Sequence, residues 1–189
     1  FHWDATTMVS LNRNKVTELT SSQNVINYGS MVIEVGKPIY TFYMSKSAGV
    51  SPATGKQLYW ANYRYAVDPA SGSVTTEKCD EYVTDNVGLA ALSKYYYGSR
   101  QALFSGSFSS NFVIFKNFDF SFLTTYSVGG KILDSLYDGA MNVTYAGNNW
   151  HKNQLRRWQK KGDITDVPMV EIGGSHATVG ESLIDASYF

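Results

Sequence analysis

Three histidines, one cysteine and a close pair of aspartates are the residues whose types could carry catalysis or hold a metal. His2, His151 and His176 share no H-x-H or H-x-x-x-H spacing, so they do not outline a metal site. Cys79 lies in the acidic run EKCDEY, surroundings opposed to a nucleophilic thiolate. Asp163 and Asp166 precede Pro168 and fit three roles: an ordinary turn, a cation site, or a pair for acid–base work. The stretch GGSHATVG has no G-K-S/T after it and no buried parallel strand before it, so it is not a phosphate loop. The residues therefore give catalysis little support, and no enzyme activity, cofactor or metal is expected.

The aromatic side chains offer a different chemistry, recognition by flat faces. Tyr59, Trp60, Tyr63 and Tyr65, with the run Tyr95-Tyr96-Tyr97, lie in segments that read as loops and short hairpins. There they suit stacking on sugars, docking of a partner, or local packing. Trp150, Leu155 and Trp158 give a rough apolar side to NNWHKNQLRRWQKK. The candidate contact set for substrate or partner is Tyr59, Trp60, Tyr63, Tyr95, Tyr96, Trp150 and Trp158. Arg156, Arg157, Lys160 and Lys161 form a basic patch that is either a solvated face or a contact for acidic cargo or a partner protein.

The elements that must position these residues are strands. Phe104, Phe108, Phe112 and Ile114 alternate with Ser105, Ser107, Ser109 and Asn111. After Lys116-Asn117 the alternation restarts, with Phe118, Phe120, Phe122, Tyr126 and Val128 against Asp119, Ser121, Thr125 and Ser127. Period two places aromatics on one face and hydroxyls on the other. Each arm has the roughly 9–11 residues that a tilted transmembrane strand needs. Phe108, Phe112, Phe118, Phe120 and Phe122 are the expected lipid-facing residues. Phe1 to Asn12 alternates in the same way and ends in the polar NRNK, and Ser182 to Phe189 begins a fourth strand.

The plan over 189 residues is strands at about 1–12, 102–115, 118–129 and 182–189, separated by excursions at about 13–101 and 130–181. The first excursion reads as partly ordered, with short strands around Val32 and Pro38–Met44, an aromatic strand LYWANYRYAV and a turn at DPASGS. In the second, Asn148 to Lys161 reads as one short helix closed by Gly162. Four strands cannot close a barrel, and the chain begins and ends inside strand-like patterns, which predicts a fragment.

Composition agrees with a β-rich chain: aromatics are 15%, led by 14 Tyr and 10 Phe, residues favoured in strands and at interfaces. A formal net charge of zero gives no electrostatic case for nucleic acid. No apolar run reaches the roughly 20 residues of a spanning helix, which leaves a barrel open. A single cysteine cannot form an internal disulfide.

The ordered combination of Phe1–Lys15, GKPIYTFYMSKSAGVSPATGKQLYW (36–60), FSGSFSSNFVIFKNFDFSFLTTYSVGGKI (104–132), NNWHKNQLRRWQKKGDITDVP (148–168) and SLIDASYF (182–189) resembles the C-terminal barrel region of SusC-type TonB-dependent outer-membrane transporters of Bacteroidota. The resemblance covers most of the chain. It implies an all-β fold, with antiparallel strands forming part of a 22-stranded transmembrane barrel, long extracellular loops and one short loop helix. It implies import of oligomeric nutrients, glycans ahead of peptides, across the outer membrane. It also implies a SusD-type surface lipoprotein as partner, and TonB acting through parts N-terminal to these residues. Lys116-Asn117 becomes a periplasmic turn and the excursions become extracellular. The reading set against it is a soluble extracellular β-sandwich, either carbohydrate-binding or adhesive, in which the Phe faces pack sheet on sheet.

Overall fold

The structure, a computed structural model, describes residues 1–20, 24–175 and 177–188. His176 and Phe189 lie outside the described residues. In chain order the strands are β1 (His2–Leu11), β2 (Val25–Tyr28), β3 (Met31–Glu34), β4 (Thr41–Val50), β5 (Gln57–Val67), β6 (Val74–Thr84), β7 (Lys94–Ser99), β8 (Phe104–Ile114), β9 (Phe118–Val128), β10 (Lys131–Leu133) and β11 (Leu183–Asp185). Two short helices are α1 (Val87–Leu92) and α2 (Ser135–Met141), and Lys152–Arg156 is a 3-10 turn. The chain divides into two compact units. One comprises Phe1–Phe42, Gly98–Ile132 and Ile184–Phe189; the other comprises Tyr43–Tyr97 and Leu133–Leu183.

The first unit is built on an antiparallel sheet in the order β1-β8-β9. Its register is continuous: Trp3 faces Phe112 and Leu11 faces Phe104 across β1 and β8, while Phe112 faces Phe120 and Phe104 faces Val128 across β8 and β9. No bulge interrupts either ladder, so the alternation in the sequence becomes two distinct faces. The hairpin turn is Phe115-Lys116-Asn117, one residue longer than the Lys116-Asn117 expected. Phe115 and Lys116 both take the left-handed conformation, with φ of 53° and 64°, and the Asn117 N–H donates to the Ile114 carbonyl at 3.3 Å. The sheet is open, so no closed barrel is present among the described residues.

The expected fourth strand is much shorter than 182–189. Regular structure covers only Leu183–Asp185. Beyond it, Tyr188 exchanges two backbone hydrogen bonds of 2.9 Å with Ser127, and the Ser187 hydroxyl accepts the Gly129 N–H at 2.8 Å. These bonds tie the tail to the end of β9 without forming a ladder. At the same end of the sheet, where Leu11, Phe104 and Val128 lie side by side, Asn14 of the NRNK run makes a side-chain bridge. Its Oδ1 accepts the Ile39 N–H at 2.8 Å and its Nδ2 donates to Gln101.

The second unit corrects the reading of the first excursion as partly ordered. There β4, β5 and β6 form an antiparallel sheet with register shifts at Ser47/Gly49 and Ala61/Tyr63, and β7 also pairs with β4. The turn DPASGS joins two strands of 11 residues each. It is closed by the Asp68 N–H to the Ser73 carbonyl at 2.9 Å and by the Ser71 hydroxyl to the Asp68 carboxylate at 2.6 Å. Helix α1 starts at Asn86, whose side chain accepts the Leu89 N–H at 3.1 Å, satisfying one of the orphan donors of a helix start. Its Leu89 and Ala90 join Met44, Tyr59 and Ala61 as buried core.

The expected helix over Asn148 to Lys161 is reduced to the 3-10 turn Lys152–Arg156, capped by His151 Nδ1, which accepts the Asn153 N–H at 3.2 Å. The reason is tertiary. The Trp158 N–H donates to the Val167 carbonyl at 3.0 Å, which takes the backbone out of the helical ladder. Leu155, placed on the apolar side of the expected helix, is 76% exposed. The single loop helix of the sequence reading is replaced by α1 and α2, which that reading lacks.

Candidate binding surface

In β5 the neighbours Tyr59 and Trp60 point to opposite faces of the sheet, and this separates core from surface. Tyr59 is 2% exposed. Burial pushes its phenol pKa up, opposed by a backbone hydrogen bond at Ala177. It packs in the core and leaves the contact set. Trp60 lies opposite Lys46 in the β4–β5 register. The Lys46 ammonium stands 5.3 Å from the Trp60 ring and 5.2 Å from the Tyr95 ring. Glu81 lies 3.9 Å from the same ammonium and accepts the Tyr95 hydroxyl at 2.7 Å. Burial, then this bond to a carboxylate, raises the Tyr95 pKa, keeping the phenol protonated as donor. The structure thus brings Trp60 and Tyr95 together around two residues, Lys46 and Glu81, that sequence reasoning did not single out.

Other members of the set lie apart from this cluster. Tyr96 is exposed and packs against Tyr43, with ring centroids 4.7 Å apart. The Tyr63 carbonyl accepts the Tyr82 hydroxyl at 2.9 Å. Trp150 is half exposed. Trp158 is structural: its indole lies where a side chain on Gly55 would be, and its Nε1 donates to the Pro52 carbonyl at 3.0 Å.

The charged candidates serve the loop that carries them. Asp163 accepts the N–H groups of Gln159 and Lys160, both at 3.0 Å. The Lys160 N–H first, then that of Gln159, holds its carboxyl below the ordinary range. Asp166 pairs with Arg156 at 3.2 Å, and Arg157 donates to the Gln154 carbonyl at 3.2 Å. Asp163 and Asp166 therefore act separately, one as a turn former and one as an ion-pair partner. Among the described residues no cluster of His, Cys, Asp and Glu could hold a metal ion. Cys79 is half buried on β6 and lines an open groove with Arg64, Lys78, Asp80 and Tyr82.

The aromatic face of the first unit is continuous across three strands. Trp3 stacks on Phe112 at 6.1 Å with the planes 7° apart. Phe112 meets Phe120 at 6.2 Å, Phe120 meets Phe122 at 6.1 Å, and Phe122 meets Phe108 at 5.7 Å. The Ser110 hydroxyl is buried within this face and accepts the Trp3 indole N–H at 2.7 Å. Phe118 and Phe120 are 67% and 59% exposed.

The fold is all-β, mostly antiparallel, and no helix among the described residues is long and apolar enough to cross a membrane. Solved structures share it. The RagAB peptide transporter matches with a TM-score of 0.70 at 22% identity, over 98% of this chain and 19% of that chain. The RagAB peptide importer matches with a TM-score of 0.64 at 22% identity in its closed-closed state and 0.57 at 21% identity in its open-open state, with the same coverage. The chain thus spans about a fifth of the length of these neighbours. No protein-family profile matches it, and no curated protein matches it.

Proposed function

We propose that this chain is part of the barrel of a SusC-type TonB-dependent outer-membrane transporter, with β1, β8 and β9 as membrane strands and the excursions at about 13–101 and 130–181 as extracellular loops. The observation that carries this reading is the uncovered aromatic face of the wall sheet. Strands of 10 and 11 residues, the last two joined by a three-residue turn, carry Trp3, Phe112, Phe120 and Phe122 in unbroken contact, with Trp3 and Phe120 more than half exposed. In a soluble sandwich a second sheet would cover such a face; in a barrel, lipid does. The fold likeness to RagAB over nearly the whole chain supports the same reading. The cargo is an oligomeric nutrient, a glycan or a peptide. A SusD-type lipoprotein meets the outer loops, and TonB acts through parts of the protein other than these residues.

The test is membrane assembly of the full-length chain. Phe120→Arg places a charge on the aromatic face, three residues past the turn, and should cost about 1–2 kcal/mol, less than a midplane position would. Ser121→Arg, on the other face, should be tolerated. Loss of the heat-modifiable outer-membrane form with Phe120→Arg alone is the expected result. Equal assembly of both variants would overturn the orientation, and a soluble detergent-free chain would overturn the reading.

A further inference from the structure

Lys46, Trp60, Glu81 and Tyr95 come from four strands, β4 to β7, and meet at one point of the second unit. Two aromatic rings lie just over 5 Å from a single ammonium group, with a carboxylate at 3.9 Å. Aromatic faces together with a nearby carboxylate are the chemistry by which proteins hold ammonium and guanidinium groups. Here the cation is the protein's own. It is also held loosely, because 3.9 Å is the outer limit of an ion pair and the Lys46 and Glu81 side chains are 41% and 44% exposed. Exposed pairs of this kind contribute little to stability, so Lys46 can leave without loss of the fold. The rings are placed independently of it: Trp60 faces Val83 in the β5–β6 register, and Tyr95 is tied to Glu81 through its hydroxyl.

We propose that this cluster is a recognition site for a cationic side chain, a lysine or arginine of a peptide cargo, which enters by displacing Lys46. The proposal rests on the reading of this chain as part of a nutrient transporter whose excursion 13–101 is extracellular. Lys46 acts as an intramolecular competitor that sets the selectivity. A cation replaces it without leaving Glu81 uncompensated, whereas a neutral group that enters leaves the carboxylate without its counter-charge. Binding should weaken as ionic strength rises.

Isothermal titration of the full-length chain in detergent, with two peptides of one sequence, tests this. One peptide carries free lysines and the other acetylated lysines, which lack the charge. The free-lysine peptide should bind about tenfold more tightly, the effect of one or two cation–π contacts and an ion pair. Lys46→Met keeps the aliphatic stem and removes the competitor, and should strengthen lysyl-peptide binding about threefold. Trp60→Ala should abolish the discrimination. So should Glu81→Gln, which keeps an acceptor for Tyr95 and guards against a folding defect. Equal affinity for the two peptides would overturn the cage and leave the transporter reading intact. Weakening by Lys46→Met to the level of Trp60→Ala would overturn displacement. Binding of neither peptide, in a chain that still assembles in the outer membrane, would overturn the cage alone.

Discussion

The indole of Trp158 occupies the space that a side chain on Gly55 would fill. Gly55 has a φ of +74°, and a Cβ there would run into the ring carbons of Trp158. Around this contact the Pro52 carbonyl accepts both the Trp158 indole N–H at 3.0 Å and the Gly162 N–H at 2.8 Å, and the Gly55 carbonyl accepts the Met169 N–H at 2.8 Å. The SPATG turn and the WQKKGDITDVP segment therefore form one docked pair. Gly55→Ala combines left-handed strain with displacement of the ring, and should cost about 2–4 kcal/mol. Gly49→Ala, at φ +90° but with nothing within 4 Å of the added carbon, should cost only about 1–2 kcal/mol of strain. Denaturant unfolding of the two variants separates the terms; equal costs would remove the packing role of Trp158.

The Trp3–Ser110 hydrogen bond can be weighed by a double-mutant cycle. Ser110 is a buried hydroxyl on an otherwise aromatic face, and the Trp3 indole N–H supplies its partner at 2.7 Å. Trp3→Phe and Ser110→Ala should each destabilise the wall, and the pair should show a coupling energy of about 0.5–1.5 kcal/mol. Additive effects in unfolding experiments would mean that the bond contributes nothing beyond packing.

The β1-β8-β9 sheet was legible in the sequence because phenylalanines and hydroxyl residues alternate along most of each arm of the hairpin, Leu123 and Thr124 apart, and the register preserves the two faces. β6 was not legible because residues such as Thr75, Glu77 and Asp80 leave both of its faces polar, and it is exposed along most of its length. The overlong helix at Asn148–Lys161 failed for the opposite reason. Its local pattern is helical, but Trp158 finds better partners in Val167 and Pro52. At the binding surface, alternation shows that Tyr59 and Trp60 oppose each other, not which of them is buried. The Lys46–Trp60 pairing depends on strand register beside a bulge at Ser47/Gly49, which no local signal announces.

Asp163 makes acid stability a readout of the same loop. Its folded pKa is depressed by the Lys160 and Gln159 N–H groups, so its stabilising contribution is present above the ordinary carboxylate pKa of about 4. That contribution is lost as pH falls through the lower folded value. Asp163→Asn should flatten the decline of stability below that pH and leave the slope near neutrality unchanged. Superimposable pH profiles of the two proteins, measured by thermal unfolding, would show that the loop is not protonation-sensitive.

Gly106 tests the close packing of the wall. It sits opposite Val9 and Tyr126, and a Cβ at this position would meet the Met8 carbonyl and the Tyr126 ring. The Tyr126 hydroxyl crosses above it to donate to the Met8 carbonyl at 3.3 Å, so the ring covers a strand glycine and links the end of β9 to β1. Gly106→Ala gains backbone entropy worth roughly 0.5–1 kcal/mol, but its Cβ would crowd the Met8 carbonyl, a backbone atom with little room to give, as well as the Tyr126 ring. Overpacking of this kind costs about 1–3 kcal/mol, so the net effect should be destabilising. Tyr126→Phe keeps the ring and loses only the hydroxyl, at about 0.5–1.5 kcal/mol. In Gly106→Ala combined with Tyr126→Ala the ring contact is gone but the closer contact with the Met8 carbonyl remains, so most of the glycine penalty should persist. Recovery of most of the penalty in that double variant, read from unfolding midpoints, would assign the requirement for glycine to the tyrosine above it rather than to the Met8 backbone.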